Sequence, residues 1–169
     1  MATFVGIDPG VGGGIGVIDE DKVWAFDMPT ITTEVKRRGK KPSKKNTMDV
    51  SSLRHQLNII CPTFVVIEKV PPLVSGPGGS RMGSAVSFQM GRSFGICEGV
   101  VAGLGFPYIL VTPQTWKRAM LEGTSKDKAA AVLKATQMFP SVPLPNKADH
   151  NKAEGLLLAQ YAKLNWGQA

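Results

Sequence analysis

Thr3-Phe4-Val5-Gly6-Ile7-Asp8-Pro9-Gly10 is the stretch on which the fold turns. Its apolar centre reads as a buried strand, and Pro9-Gly10 is a turn signal that stops it. The acid stands at the strand's end. A second run, Phe64-Val65-Val66-Ile67-Glu68, is as apolar and also ends in an acid. Glutamate is depleted in strands and costly to bury. If the two strands are parallel neighbours, both carboxylates emerge at the same carboxyl edge of the sheet, where open α/β sheets place their sites. Two carboxylates so close repel each other unless a cation lies between them. Oxygen-only ligands favour Mg2+ or Mn2+. The structural alternatives are a turn-forming Asp8 and a Glu68 paired with a nearby lysine.

Around these two strands, residues 13–18 and 23–28 read as two more, joined to the first as an antiparallel meander. Residues 29–46 read as a polar, basic loop. Val50, Leu53, Leu57 and Ile60 recur at helical spacing, with Thr47 or Asp49 as the N-cap. Residues 71–83 are rich in Gly, Pro and Ser and form a loop. A long helix is expected over 84–104 and a buried strand over 108–111. A short helix starts at Pro113, where a missing N–H costs nothing. Helices over 125–139, capped by Ser125, and 149–165 complete the chain. The order βββαβαβααα implies an α/β fold. Its five-stranded mixed sheet has three antiparallel strands, then two parallel ones, with helices on both faces. At 169 residues the chain fits one domain, 1–169, without repeat or linker.

The long helix has a small residue at every fourth position: Gly83, Ser87, Gly91, Gly95, Gly99 and Gly103. An interior Gly costs about 1 kcal/mol relative to Ala, so the row needs a reason. It allows another backbone to approach closely, either from this protein's own sheet or from the same helix of a second copy in a homodimer. Gly91-Arg92-Ser93-Phe94-Gly95 matches G-x-S-x-G, but a serine nucleophile needs a strand-to-helix elbow, not a helix interior. The glycines after Asp8 lead into a strand, which does not suit a dinucleotide fingerprint.

Net charge is +7, and Lys36, Arg37, Arg38, Lys40, Lys41, Lys44 and Lys45 supply all of it, since the rest of the chain sums to zero. A positive field concentrated in one segment suits a polyanion such as nucleic acid. Cys61 and Cys97 have no metal-ligand spacing and read as reduced core residues. No stretch approaches the ~20 apolar residues that span a membrane, and the N-terminus lacks the pattern of a signal peptide. A cytoplasmic protein, with no membrane partner, is expected.

A third cluster is Lys147-Ala148-Asp149-His150-Asn151-Lys152-Ala153-Glu154. On a helix, His150 and Asn151 share a face with Glu154, while Asp149 is placed to act as the N-cap. An acid heading an apolar stretch, as Glu154 does before Leu156-Leu157-Leu158, is expected to face a site.

Gly6-Ile7-Asp8-Pro9-Gly10, Val66-Ile67-Glu68 and the 149–154 cluster together resemble the RuvC family of Holliday junction resolvases, which has a ribonuclease H-like fold. The segments 84–95, Val111-Thr112-Pro113 and Trp116-Lys117 look similar as well, and the last motif is most like the bacteriophage and chloroplast branch. The resemblance implies a homodimer that binds four-way DNA junctions in recombination and repair. Such an enzyme nicks two opposed strands symmetrically with Mg2+ or Mn2+, leaving 5′-phosphate and 3′-hydroxyl ends. Two ions about 4 Å apart would clamp the scissile phosphate. Asp8, Glu68 and Glu154 would be metal ligands. The fourth position is open among Asp149, His150 and Asn151, and His150 is also placed to accept a proton. Asn cannot supply a carboxylate, so Asn151 is either natural or a substitution of an Asp. Lys117 and Lys126 would contact phosphate, Arg81 lies in a loop placed to probe the junction centre, and the basic segment 36–45 would grip a duplex arm. The alternatives are a related nuclease acting on RNA–DNA hybrids or flaps, and a catalytically impaired junction-binding protein.

Overall fold

The computed structural model describes residues 2–36, 39, 41–70, 83–122 and 128–167. Its main sheet holds β1 (Phe4–Ile7), β2 (Gly14–Ile18), β3 (Val23–Asp27), β6 (Phe64–Glu68) and β7 (Tyr108–Val111) in the order β3-β2-β1-β6-β7. β1, β2 and β3 pair antiparallel, whereas β6 runs parallel to both β1 and β7. This is the expected mixed α/β sheet. The helices are α1 (Val50–Ile60), α2 (Ser84–Gly103), α3 (Pro113–Met120), α4 (Lys128–Met138) and α5 (His150–Trp166), with a 3-10 turn at Lys147–Asp149 before the last.

Strand alternation sorts the core into two layers. Val5, Ile7, Val65 and Ile67 pack with Leu53 and Leu57 of α1 and Cys97 and Val101 of α2. Phe4 and Val66 turn the other way, onto Trp116 of α3, Ala131 and Ala135 of α4, and Leu156 to Ala159 of α5. Helices therefore cover both faces. The α5 layer lies unusually close. A Cβ on Gly6 would stand 2.2 Å from the Gly155 carbonyl oxygen, and one on Gly16 would stand 2.2 Å from the Leu156 backbone nitrogen. Gly155 reciprocates: a Cβ there would stand 2.7 Å from the Gly16 nitrogen. Gly6 before Asp8, and Gly14 and Gly16 after it, let a helix backbone touch a strand backbone.

Local signals explain the element ends. Asp49, not Thr47, caps α1, accepting from the Ser52 N–H at 3.0 Å and the Ser52 hydroxyl at 2.7 Å. Thr112 caps α3, with Pro113 in its first turn. No helix among the described residues is long and apolar enough to cross a membrane.

Three expectations are corrected. The segment 29–46 is not all loop: β4 (Thr30–Val35) and β5 (Ser43–Met48) form a separate antiparallel hairpin. Its Ile31, Thr32, Thr33 and Val35 are β-branched, and the hairpin is anchored at its base by buried Met28 and Met48. Cys61 is exposed rather than in the core, because it closes α1 in the left-handed conformation at φ 48° and projects outward. The glycine row of α2 does not pack on the sheet: Cβ atoms on Gly91, Gly95, Gly99 and Gly103 would meet nothing within 4 Å. The buried face of α2 is Ser93, Cys97 and Val101 instead.

Candidate active site

The register fixes the geometry of the site. Ile7 pairs with Ile67 across the parallel β1–β6 ladder, so Asp8 and Glu68 each follow by one residue and leave the sheet side by side. Asp8 is held by its backbone, its N–H donating to the Gly14 carbonyl at 2.9 Å. α5 crosses above this edge. Its first turn is pinned to the β1–β2 loop, because the Asn151 side-chain amide donates to the Gly12 carbonyl and Gly14 abuts the Asn151 backbone. One turn on, Glu154 points into the site with its side chain 13% exposed.

α3 supplies two donors to these carboxylates. Trp116 is wholly buried, and its indole N–H donates to Glu68 Oε2 at 2.6 Å. Lys117 Nζ lies 2.7 Å from Glu154 Oε1. Burial pushes the Glu68 carboxyl above its ordinary range; the Trp116 hydrogen bond opposes this, the Glu154 charge adds to it and Lys117 offsets it. Glu68 and Glu154 thus feel each other's charge. Beneath the sheet, burial, with a smaller contribution from the Asp8 charge, pushes the Cys97 thiol up to about 12, so it stays protonated.

Asp149 is engaged elsewhere. Its carboxylate accepts from the Asn146 N–H at 2.9 Å and from Lys152 at 2.6 Å, contacts that hold it below the usual carboxylate range. It closes the turn that leads into α5. His150 and Asn151 open α5 at the site's rim, both half-buried. Among the described residues, no three His, Cys, Asp or Glu side chains gather as a metal-binding group. The chemistry of the donors nonetheless fits a hard divalent cation: carboxylate oxygens from three elements, two of them mutually repelling, with one already neutralised by an ammonium.

Of the residues expected to meet DNA, Lys117 stands among the carboxylates rather than away from them. Lys36, Lys41, Lys44 and Lys45 are exposed on or beside the hairpin. Arg37, Arg38, Lys40, Arg81 and Lys126 lie outside the described residues, as does Ser125. What sequence reasoning missed is the indole of Trp116 as a partner of Glu68. The available signal was Thr112-Pro113, which starts a helix and sets residues 116 and 117 one turn inside it.

The fold is shared with solved structures. The RuvC of Thermus thermophilus in complex with a Holliday junction substrate is 16% identical, with a TM-score of 0.60, over 98% of this chain and 97% of that one. A second T. thermophilus RuvC structure is 16% identical with a TM-score of 0.56, over 96% of each chain. The architecture is therefore that of RuvC, a ribonuclease H-like fold. No family model matches the sequence, and no curated protein does.

Proposed function

We propose that the chain is a structure-selective endonuclease that resolves four-way DNA junctions. It nicks two opposed strands with a divalent metal and leaves 5′-phosphate and 3′-hydroxyl ends. The observation that carries this reading is the parallel β1–β6 register, which brings Asp8 and Glu68 to one sheet edge beneath Glu154. The RuvC architecture over nearly the whole chain supports it. Asp8, Glu68 and Glu154 would hold Mg2+ or Mn2+, with His150 or Asn151 completing the set. The metal would supply Lewis acidity at the phosphate and a bound water of lowered pKa. Trp116 fixes one oxygen of Glu68 and leaves the other without a hydrogen-bond donor among the described residues. Lys117 neutralises Glu154 and stands within reach of a backbone phosphate. The exposed hairpin lysines attract DNA without reading its sequence.

Symmetric nicking needs two sites, and the open glycine row of α2 suits pairing with a second copy. Asp8→Asn is expected to keep junction binding and to abolish nicking in Mg2+, measured on an immobile four-way junction beside hybrid and flap substrates. Unchanged cleavage by that variant, or preferential cleavage of hybrid or flap by the unaltered protein, defeats the reading.

A further inference from the structure

The sheet register sets a tryptophan against Glu68. Glu68 ends β6 opposite Val111, the last residue of β7. Thr112 follows at once and caps α3, so Trp116, one turn beyond the cap, returns to the level of Glu68. Its indole N–H donates to Glu68 Oε2 at 2.6 Å. The ring is not free to swing away. It is 0% exposed and packs in the core layer of Phe4, Val66 and Met120. Lys117 Nζ lies 5.1 Å from its centroid, a cation–π contact that holds its plane further. An indole has one donor and no acceptor. It therefore cannot bind a cation itself and acts on one only through the carboxylate it holds.

A carboxylate can hold a cation through one oxygen or through both. The two oxygens of one group offer a narrow bite. Ca2+ accepts that bite within its flexible shell of about six to eight ligands, whereas Mg2+ demands a near-ideal octahedron and resists it. A donor locked on Oε2 leaves Oε1 as the oxygen that Glu68 offers to a cation. We infer that Trp116 is a positioning residue that sets the site's preference for a small octahedral cation over Ca2+, by keeping Glu68 a one-oxygen ligand. It touches neither metal nor DNA and acts through Glu68 alone. The inference rests on the metal-dependent nuclease reading and adds to it which cation the carboxylates select.

The test uses the full chain, free of DNA and metal. Mn2+ is titrated in and followed by the electron paramagnetic resonance of the unbound ion, and Mg2+ or Ca2+ is then added as competitor. Trp116 is replaced by 3-benzothienylalanine, which keeps the fused ring and puts sulfur where the N–H was, and in a second variant by Phe. Trp166→Phe, which alters a ring stacked on Phe64 at the other end of β6, is the control. Both Trp116 variants are expected to lose about tenfold in affinity for Mg2+ and to keep their affinity for Ca2+, so that the preference for Mg2+ falls about tenfold. The control should keep the preference of the parent. A ratio separates positioning from packing, because a smaller folded fraction weakens both ions alike. Equal losses for the two ions, or no loss for either, overturn the inference. So does a parent that takes up no Mn2+, or takes it up as well after Glu68→Gln. If the ratio does not move while the parent nicks junctions, the role of Trp116 fails and the resolvase reading stands. If the ratio falls as expected but the parent nicks no junction, the role of Trp116 stands and the resolvase reading fails.

Discussion

Glu68 is a buried acid whose neighbours only partly offset its charge. Its folded pKa is raised above the ordinary value of 4.5, so its favourable contribution to stability is complete below that pH. The contribution is lost as pH rises through the folded value. In metal-free protein at pH 7, Glu68→Gln should therefore raise the melting temperature, each kcal/mol relieved being worth about 2–4 °C in a chain of this size. The gain should vanish near pH 4 in a melting series. Trp116→Phe acts in the opposite direction. It strips the carboxylate of an indole donor at 2.6 Å and should cost about 2 kcal/mol in urea unfolding, less when combined with Glu68→Gln. The acids were legible in the sequence because a charge ending an apolar strand is anomalous on its face. Their partners were not: Trp116 and Lys117 are 48 and 37 residues from the groups they bind, and an apolar-looking Trp on a short helix reads as core. Asp149 shows the converse, since an acid in a promising cluster proved to be occupied in holding a turn.

At the level of elements, the strands of the main sheet follow from apolar runs, and the five described helices from the periodicity of α1, the Pro113 start of α3 and the breakers between the others. The hairpin of β4 and β5 does not, because most of its residues are exposed and no alternation between core and solvent marks its period. Only β-branched composition hinted at it, and the lysines masked that hint. The glycines divide into two kinds that sequence alone does not separate. Gly16 meets the Leu156 backbone, while Gly95 meets nothing within 4 Å. Gly16→Ala must push two backbones apart and should cost about 3 kcal/mol or more. Gly95→Ala only restricts the unfolded chain and should stabilise the monomer by about 0.5–1 kcal/mol. Denaturant titration of both variants checks the pair. If α2 is the seam of a dimer, sedimentation of Gly95→Ala should show weaker self-association alongside the tighter fold.

Across the whole molecule, the +7 net charge resides in the number carried by one segment, of which Lys36, Lys41, Lys44 and Lys45 are seen exposed at the hairpin. Binding dominated by such charges releases counterions, so junction affinity should fall steeply with salt, with a log–log slope of about −0.9 for each phosphate neutralised. Replacing Lys41 and Lys44 with Ala should flatten that slope by about 2 and weaken all DNA forms alike, as read by titration at several salt concentrations. The contact between α5 and the sheet has a further consequence, for how variation in this protein should be interpreted. Positions 6, 14, 16 and 155 adjoin the carboxylates in the chain or in space, and each has backbone atoms of another element where its own Cβ would be. In a saturation mutagenesis screen scored by activity, they should rank as intolerant as Asp8, Glu68 and Glu154. Scored by abundance the two sets should part: replacements at the glycines deplete the protein, whereas replacements at the acids leave it plentiful and inert. An alignment of diverged homologues would record both sets as invariant, although only one of them performs chemistry.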